Sequence, residues 1–176
     1  MGRHKLLDLK QYIRDIPDFP KQGIIFKDIT PLLQDKDAFR QAIERMAAPF
    51  KDRGIDAVAS VEARGFIFGA AIAYYLKTGF IPMRKPGKLP FKTISQTYDL
   101  EYGKDTIQIH EDALAKGNKV LIVDDVLATG GTVEAVAGLL EKIGAETIGI
   151  AFLIELTFLK GIEKLKKYPV HSLMKM

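Results

Sequence analysis

The chain has 176 residues, 47% hydrophobic and 27% charged, which is the composition of a single soluble globular domain and rules out disorder as its main state. Cysteine is absent, excluding disulfides, thiolate nucleophiles and cysteine metal sites together, and the longest uncharged run, residues 65–76, falls short of the ~18–20 residues a membrane-spanning helix needs. The net charge of +4 is too mild to imply nucleic acid, and Asp8 interrupts the amino-terminal segment before a signal core could form. A cytoplasmic protein with no nucleic-acid or membrane partner is expected.

Leu6, Leu9, Ile13 and Ile16 recur at helical spacing and predict a helix that Pro17 stops. Residues 17–33 are punctuated by Pro17, Pro20, Gly23 and Pro31, so the segment from Gly23 to Asp28 reads as irregular or briefly extended. Asp35 or Asp37 opens a helix with Phe39, Ile43, Met46 and Phe50 as its buried stripe, closed by Gly54. Ala57 to Val61 is a short buried strand, and an apolar helix covers about 66–77. Phe80 to Met83 is a further strand, which Pro82 places at an edge or a strand end.

Residues 94–110 alternate with period two around Gly103, the pattern of a β-hairpin. Lys119 to Val123 and Thr147 to Ile154 are buried strands flanking a helix over 131–143 that Gly144 closes. Lys160, Lys164, Lys166 and Lys167 read as one solvated helix face. Continuous apolar strands alternating with helices predict an α/β domain: a parallel sheet covered on both faces, with ligands beyond the carboxyl ends of its strands.

Charge is unevenly placed. Residues 63–98 carry six cations (Arg64, Lys77, Arg84, Lys85, Lys88 and Lys92) and no acid. Such a segment is either a solvated basic loop or the seat of an anionic ligand.

The chemistry concentrates in residues 120–132. An apolar strand ends in the adjacent acids Asp124 and Asp125, and the turn Ala128-Thr129-Gly130-Gly131-Thr132 then runs into a helix. Glycines that let N–H groups converge, threonine hydroxyls and a helix N-terminus are the parts of a phosphate cradle. The run lacks the Gly-Lys-Ser/Thr of a Walker A loop and the Gly-x-Gly-x-x-Gly of a dinucleotide fingerprint.

This run resembles the ribose-phosphate signature of the type I phosphoribosyltransferases. The likeness extends through Asp18-Phe19-Pro20, Gly23 to Pro31, Glu62-Ala63-Arg64-Gly65-Phe66, Arg84-Lys85-x-Gly87-Lys88, Tyr98-x-Leu100-Glu101-Tyr102-Gly103 and Glu155-Leu156, in the order found in the adenine-using branch of that family. Lys27 stands where some members have arginine.

The resemblance implies transfer of a phosphoribosyl group from phosphoribosyl pyrophosphate to adenine, giving AMP and pyrophosphate in purine salvage. It implies a single domain with a hood at about 17–33 and a lid at about 94–110, Mg²⁺ bound with the substrate, and a homodimer. Asp124 and Asp125 would hold the ribose and help place the metal, and Ala128 to Thr132 would cradle the 5′-phosphate. Arg64, Arg84, Lys85 and Lys88 would take the pyrophosphate. Phe26 would stack on adenine while backbone groups of Ile25 and Lys27 read its edge. Tyr98, Glu101 and Tyr102 belong to the lid, with Glu101 as the acid/base near the purine. From the residues alone, Phe26 could equally be core and Glu101 merely solvated. Three rivals remain open: a transferase for hypoxanthine, xanthine or orotate, a ligand-sensing regulator on the same fold, and a plain nucleotide-binding module.

Overall fold

The structure is a computed structural model that describes residues 5–99 and 103–176. Its centre is a five-stranded, all-parallel sheet built from β3 (Ala57–Val61), β4 (Gly79–Met83), β7 (Lys119–Leu127), β8 (Glu146–Glu155) and β9 (Val170–Lys175), in the order β4-β3-β7-β8-β9. Helices α2 (Lys36–Ala47) and α3 (Arg64–Leu76) cover one face, and α4 (Gly131–Ile143) covers the other.

The uniformly apolar strands follow from this double cover. In β7, Leu121 and Val123 pack towards Phe68 and Ile72 of α3, while Val120 and Ile122 pack towards Val136 and Leu140 of α4. In β8, Ala151 and Leu153 join the first cluster and Ile150 and Phe152 the second. Side chains alternate across a strand, so apolar residues are needed at every position. β4 lies at the sheet edge, where Pro82 costs the fewest ladder bonds.

Local signals place the helices. Asp35 caps α2, its side chain accepting from the N–H groups of Asp37 and Ala38 at 3.0 and 2.8 Å. Ile43, Met46 and Phe50 are buried and Phe39 half-buried, but α2 stops at Ala47, well before Gly54. Pro49 has no N–H to continue the ladder, and residues 48–50 form a single 3₁₀ turn. Gly144, at φ +84°, closes α4 as expected.

Two expectations are corrected. The amino-terminal helix is only a 3₁₀ turn over Leu9–Tyr12, and Arg14–Pro17 is strand β1, antiparallel to β2 (Ile25–Asp28). The cross-strand ion pairs Arg14–Asp28 (2.6 Å) and Lys27–Asp15 (2.7 Å) join these strands, a tertiary pairing that overrides the local helical spacing. The lysine-rich segment is two 3₁₀ turns, Thr157–Leu159 and Gly161–Leu165, with Lys160 between them at φ +53°, so it presents no single helix face. Beyond it, β9 adds a fifth strand that the sequence reading did not foresee.

A short helix α1 (Thr30–Gln34) leads from β2 into α2. The hairpin is present as β5 (Thr93–Asp99) and β6 (Lys104–His110), in antiparallel register from Thr93↔His110 to Asp99↔Lys104. β5 and β6 lie against α4, so the hairpin rests on the sheet's second face. Among the described residues, no helix is long and apolar enough to cross a membrane.

Candidate active site

The carboxyl ends of β3 and β7 open onto a common cavity of about 250 Å³. Its floor is the acid pair. β7 is paired to β3 only as far as Val123, whereas on its other edge it stays paired to β8 through Leu127. Asp124 and Asp125 therefore sit inside a strand, not beyond its end as the sequence suggested. They are fixed from the β8 side and open towards the gap left by β3.

Asp125 is buried, with its Oδ2 2.6 Å from Arg64 Nε in an ion-pair contact that is not an aligned hydrogen bond. That oxygen accepts no hydrogen bond among the described residues. Asp124 Oδ1 accepts the Asp125 N–H at 2.9 Å and lies against Gly65, where an added Cβ would come within 2.6 Å of it. Burial pushes the Asp124 carboxyl well up, and the neighbouring Asp125 adds to this. Burial also raises Asp125, partly offset by the Arg64 guanidinium. The pair is thus held ready for a cation or for hydroxyl donors.

On one side, the turn Ala128-Thr129-Gly130 bounds a smaller cavity of about 70 Å³ that Asp124 and Thr132 also line. Gly130 precedes α4 at φ +80°, a conformation side chains disfavour. The turn is braced from behind by Gly161. A Cβ on Gly161 would meet the Ala128 carbonyl oxygen at 2.1 Å, and one on Gly130 would meet the Gly161 oxygen at 2.5 Å. Neither chain can carry a side chain where the two backbones touch.

On the opposite side lie the cations. The Glu62 carboxylate accepts from Arg84 Nε and Nη2 at 3.1 and 2.8 Å and from the Lys85 N–H at 2.7 Å, while Arg84 Nη1 donates to the Lys88 carbonyl at 3.1 Å. Burial alone would raise the Glu62 carboxyl, but the Lys85 amide and the Arg84 guanidinium more than offset this and hold it low. Glu62 thereby fastens the loop after β4 to the end of β3. Lys85 Nζ lies 3.0 Å from Asp105 Oδ2 on β6.

From above, the β1–β2 pair presents Phe26, whose ring centroid is 4.8 Å from the Arg64 guanidinium carbon. Phe19 packs edge-on against Phe26 at 5.2 Å. Ile25 is exposed, and the Lys27 side chain is turned to Asp15.

The structure thus brings Arg64, Lys85, Tyr98, Asp124, Asp125 and Thr132 around one cavity, with Phe26 at its rim. Ala128, Thr129 and Gly130 bound the adjoining small cavity, Gly131 begins α4, and Arg84 points its guanidinium at Glu62. Lys88 is exposed beside Arg84. Glu101 and Tyr102 lie outside the described residues. Sequence reading missed Glu62 as an organiser, although the first charged residue after an apolar strand marks such a site. It also missed Gly161, for which the sequence carries no signal, because its role exists only through contact with residues about thirty positions earlier.

Strand ends carrying an acid pair, followed by a phosphate-sized turn and a helix, define a phosphoribosyltransferase. The chain belongs to that family: the model of the phosphoribosyl transferase domain matches residues 32–173. Within it, the chain is 58% identical to the adenine phosphoribosyltransferase of Thermotoga maritima over 168 residues, covering 96% of this chain and 97% of that one. The crystal structure of adenine phosphoribosyltransferase from Thermoanaerobacter pseudethanolicus superposes with a TM-score of 0.93 at 54% identity, covering 96% and 98% of the two chains. That of the Saccharomyces cerevisiae enzyme, complexed with an iminoaltritol bisphosphate and adenine, gives 0.89 at 39% identity, covering 94% and 96%.

Proposed function

We infer that this chain transfers the 5-phosphoribosyl group of phosphoribosyl pyrophosphate to adenine, releasing AMP and pyrophosphate in purine salvage. The observation that carries the reading is the layout around Asp124 and Asp125: an aromatic ring above, a phosphate-sized turn to one side and a cation-bearing loop to the other. Base, ribose 5-phosphate and pyrophosphate need those three surroundings.

In this reading the glycosidic bond from C1′ to the purine N9 forms as the bond from C1′ to the pyrophosphate oxygen breaks. The ribose ring gains positive charge and the leaving group gains negative charge. Asp124 and Asp125 face the ribose, where their carboxylates hold its hydroxyls and stabilise that charge. Ala128 to Thr132 fix the 5′-phosphate with N–H groups and hydroxyls at the start of α4. Arg64, Arg84, Lys85 and Lys88 take the departing pyrophosphate. Glu101 accepts the N9 proton. The chain is one domain, with a hood over about 17–33 and a lid over about 94–110, and the lid, with Tyr98 and Tyr102, excludes water.

Buried Asp125 Oδ2 has the Arg64 guanidinium beside it but accepts no hydrogen bond, which suits a hydroxyl donor, and among the described residues no cluster of three or more acids and histidines could hold a metal by itself. That donor set fits Mg²⁺ arriving on the substrate, with Asp124 and Asp125 as its neighbours. Asp124 and Asp125 would stand beside such an ion, which would supply charge neutralisation for the leaving pyrophosphate.

Adenine selection falls to β2. Among the described residues it is paired only by β1, and Ile25 and Lys27, two residues apart, turn their backbone groups to the same edge. An acceptor and a donor from that edge suit the adenine amino group and N1, whereas an oxo-purine leaves buried groups unpaired at ~1–3 kcal/mol each.

The protein acts in the cytoplasm as a homodimer. Incubation with Mg²⁺, phosphoribosyl pyrophosphate and adenine, hypoxanthine, xanthine or orotate in turn should yield AMP from adenine far faster than any other nucleotide. Equal use of hypoxanthine would move the chain to another branch of the family. Glu101→Gln should slow single-turnover AMP formation by ~10²–10⁴-fold with little change in substrate binding, and an unchanged rate would remove Glu101 from the chemistry.

A further inference from the structure

Asp105 has no part in the reaction described above, yet it lines the central cavity. Its Oδ2 is 3.0 Å from Lys85 Nζ and accepts from the Tyr98 hydroxyl at 3.5 Å, while that hydroxyl accepts from Thr132 Oγ1 at 3.3 Å. One carboxylate thus links the loop after β4, both strands of the hairpin and the phosphate turn. Arg64, the other cation lining the cavity, and the neighbouring Arg84 are also paired with acids, Asp125 and Glu62, but those acids stand on or beside β7 and β3 of the central sheet. Asp105 alone stands on the hairpin.

Lys85 is more than half exposed in this pair, and an exposed ion pair is weakly held. A pyrophosphate, with several charges and more acceptor oxygens, competes well for the same ammonium. The hairpin itself stays bridged to the loop by the Arg84 and Gln108 backbones, whose N–H groups donate to each other's carbonyls at 3.0 and 2.7 Å, so Lys85 can turn away without unseating it.

We propose that Asp105 is a stand-in anion: it holds Lys85 while pyrophosphate is absent, yields Lys85 to the incoming substrate, and reclaims it as pyrophosphate departs. The proposal rests on Lys85 as a pyrophosphate ligand. Asp105 is then a positioning residue that weakens pyrophosphate binding and speeds its release.

The test is Asp105→Asn, which keeps an oxygen for the Tyr98 hydroxyl and removes the charge. Losing an exposed competing pair should lower both the KM for phosphoribosyl pyrophosphate and the pyrophosphate inhibition constant by about two- to fivefold, with the KM for adenine unchanged. Asp105→Ala should shift both constants in the same direction, and Asp105→Glu should restore them. In a Lys85→Ala background the Asp105 effect should vanish. A purely structural Asp105 predicts the opposite sign, a raised KM, and that result or unchanged constants in Asp105→Asn and Asp105→Ala would overturn the proposal. If Lys85→Ala itself leaves pyrophosphate inhibition unaltered, the site reading fails at Lys85, and the proposal fails with it.

Discussion

The carboxyl of Asp124 illustrates how a single residue can serve function against stability. Burial and the adjacent Asp125 raise it, so ionising it costs the folded, ligand-free protein. Its stabilising contribution is complete below the ordinary carboxylate value of ~3.9 and is lost as pH climbs through the folded value. Asp124→Asn should therefore melt higher than the parent at pH 7, by a margin that closes towards pH 4, while turnover falls by ~10²–10³-fold. Thermal denaturation across pH, alongside steady-state assays, checks both halves, and a margin independent of pH would break the link to ionisation. Gly161 supplies a second residue-scale test. A methyl group there overpacks the phosphate turn at ~1–3 kcal/mol, which in KM for phosphoribosyl pyrophosphate is about 5- to 150-fold. Calorimetric titration of a folded Gly161→Ala protein showing parental affinity would refute the bracing role. The acid pair was legible because two charges at the end of an apolar run are conspicuous. Gly161 was not, since nothing in Lys160-Gly161-Ile162 reveals that Ala128 and Gly130 lie against it.

Among the elements, the β1–β2 pair and the hairpin both reach the cavity. The β1–β2 pair carries Phe26 to the cavity rim and holds Lys27 on Asp15, turned away from the site. Phe26→Ala should lower kcat/KM for adenine by ~5- to 150-fold, the equivalent of ~1–3 kcal/mol of stacking. Lys27→Ala should keep both rate and base preference, because an exposed ion pair contributes only ~0–1 kcal/mol. Competition between adenine and hypoxanthine in each variant separates stacking from edge recognition. A large loss of adenine preference in Lys27→Ala would make that side chain the reader. Legibility differed between these elements for a physical reason. The hairpin declares itself by period-two alternation around Gly103, whereas β1 is four residues long and carries apolar residues whose spacing also fits a helix. Only its partner strand, about ten residues later, decides between the two.

At the scale of the molecule, alternation of buried strands and helices was enough to read an α/β sheet. It did not reveal β9, because Val170 to Lys175 mixes His, Ser and Lys with apolar residues and borrows its order from β8. The outer surface carries an apolar groove of about 350 Å³ between α2 and α3 lined by Phe39, Ile43, Ala71 and Tyr74, with Tyr74 88% exposed. Patches of that kind mark association surfaces. We propose that a second copy of this chain docks there. Sedimentation should show a dimer for the parent and a monomer for Tyr74→Glu, and a dimeric variant would put the interface elsewhere.

The strand order β4-β3-β7-β8-β9 also has a consequence for synthesis. After β3 and β4 have paired, β7 is added at the free side of β3, and β8 and β9 are each added at the outer side of the strand made before, so the sheet can widen in the order in which the ribosome delivers it. At ~5–20 residues per second the apolar edges of β7 and then β8 wait seconds for their neighbours. Those seconds are when a nascent chain is most exposed to misassociation and most in need of a chaperone. The phosphate turn is translated before its brace, so the cradle is complete only once Gly161 has arrived behind it.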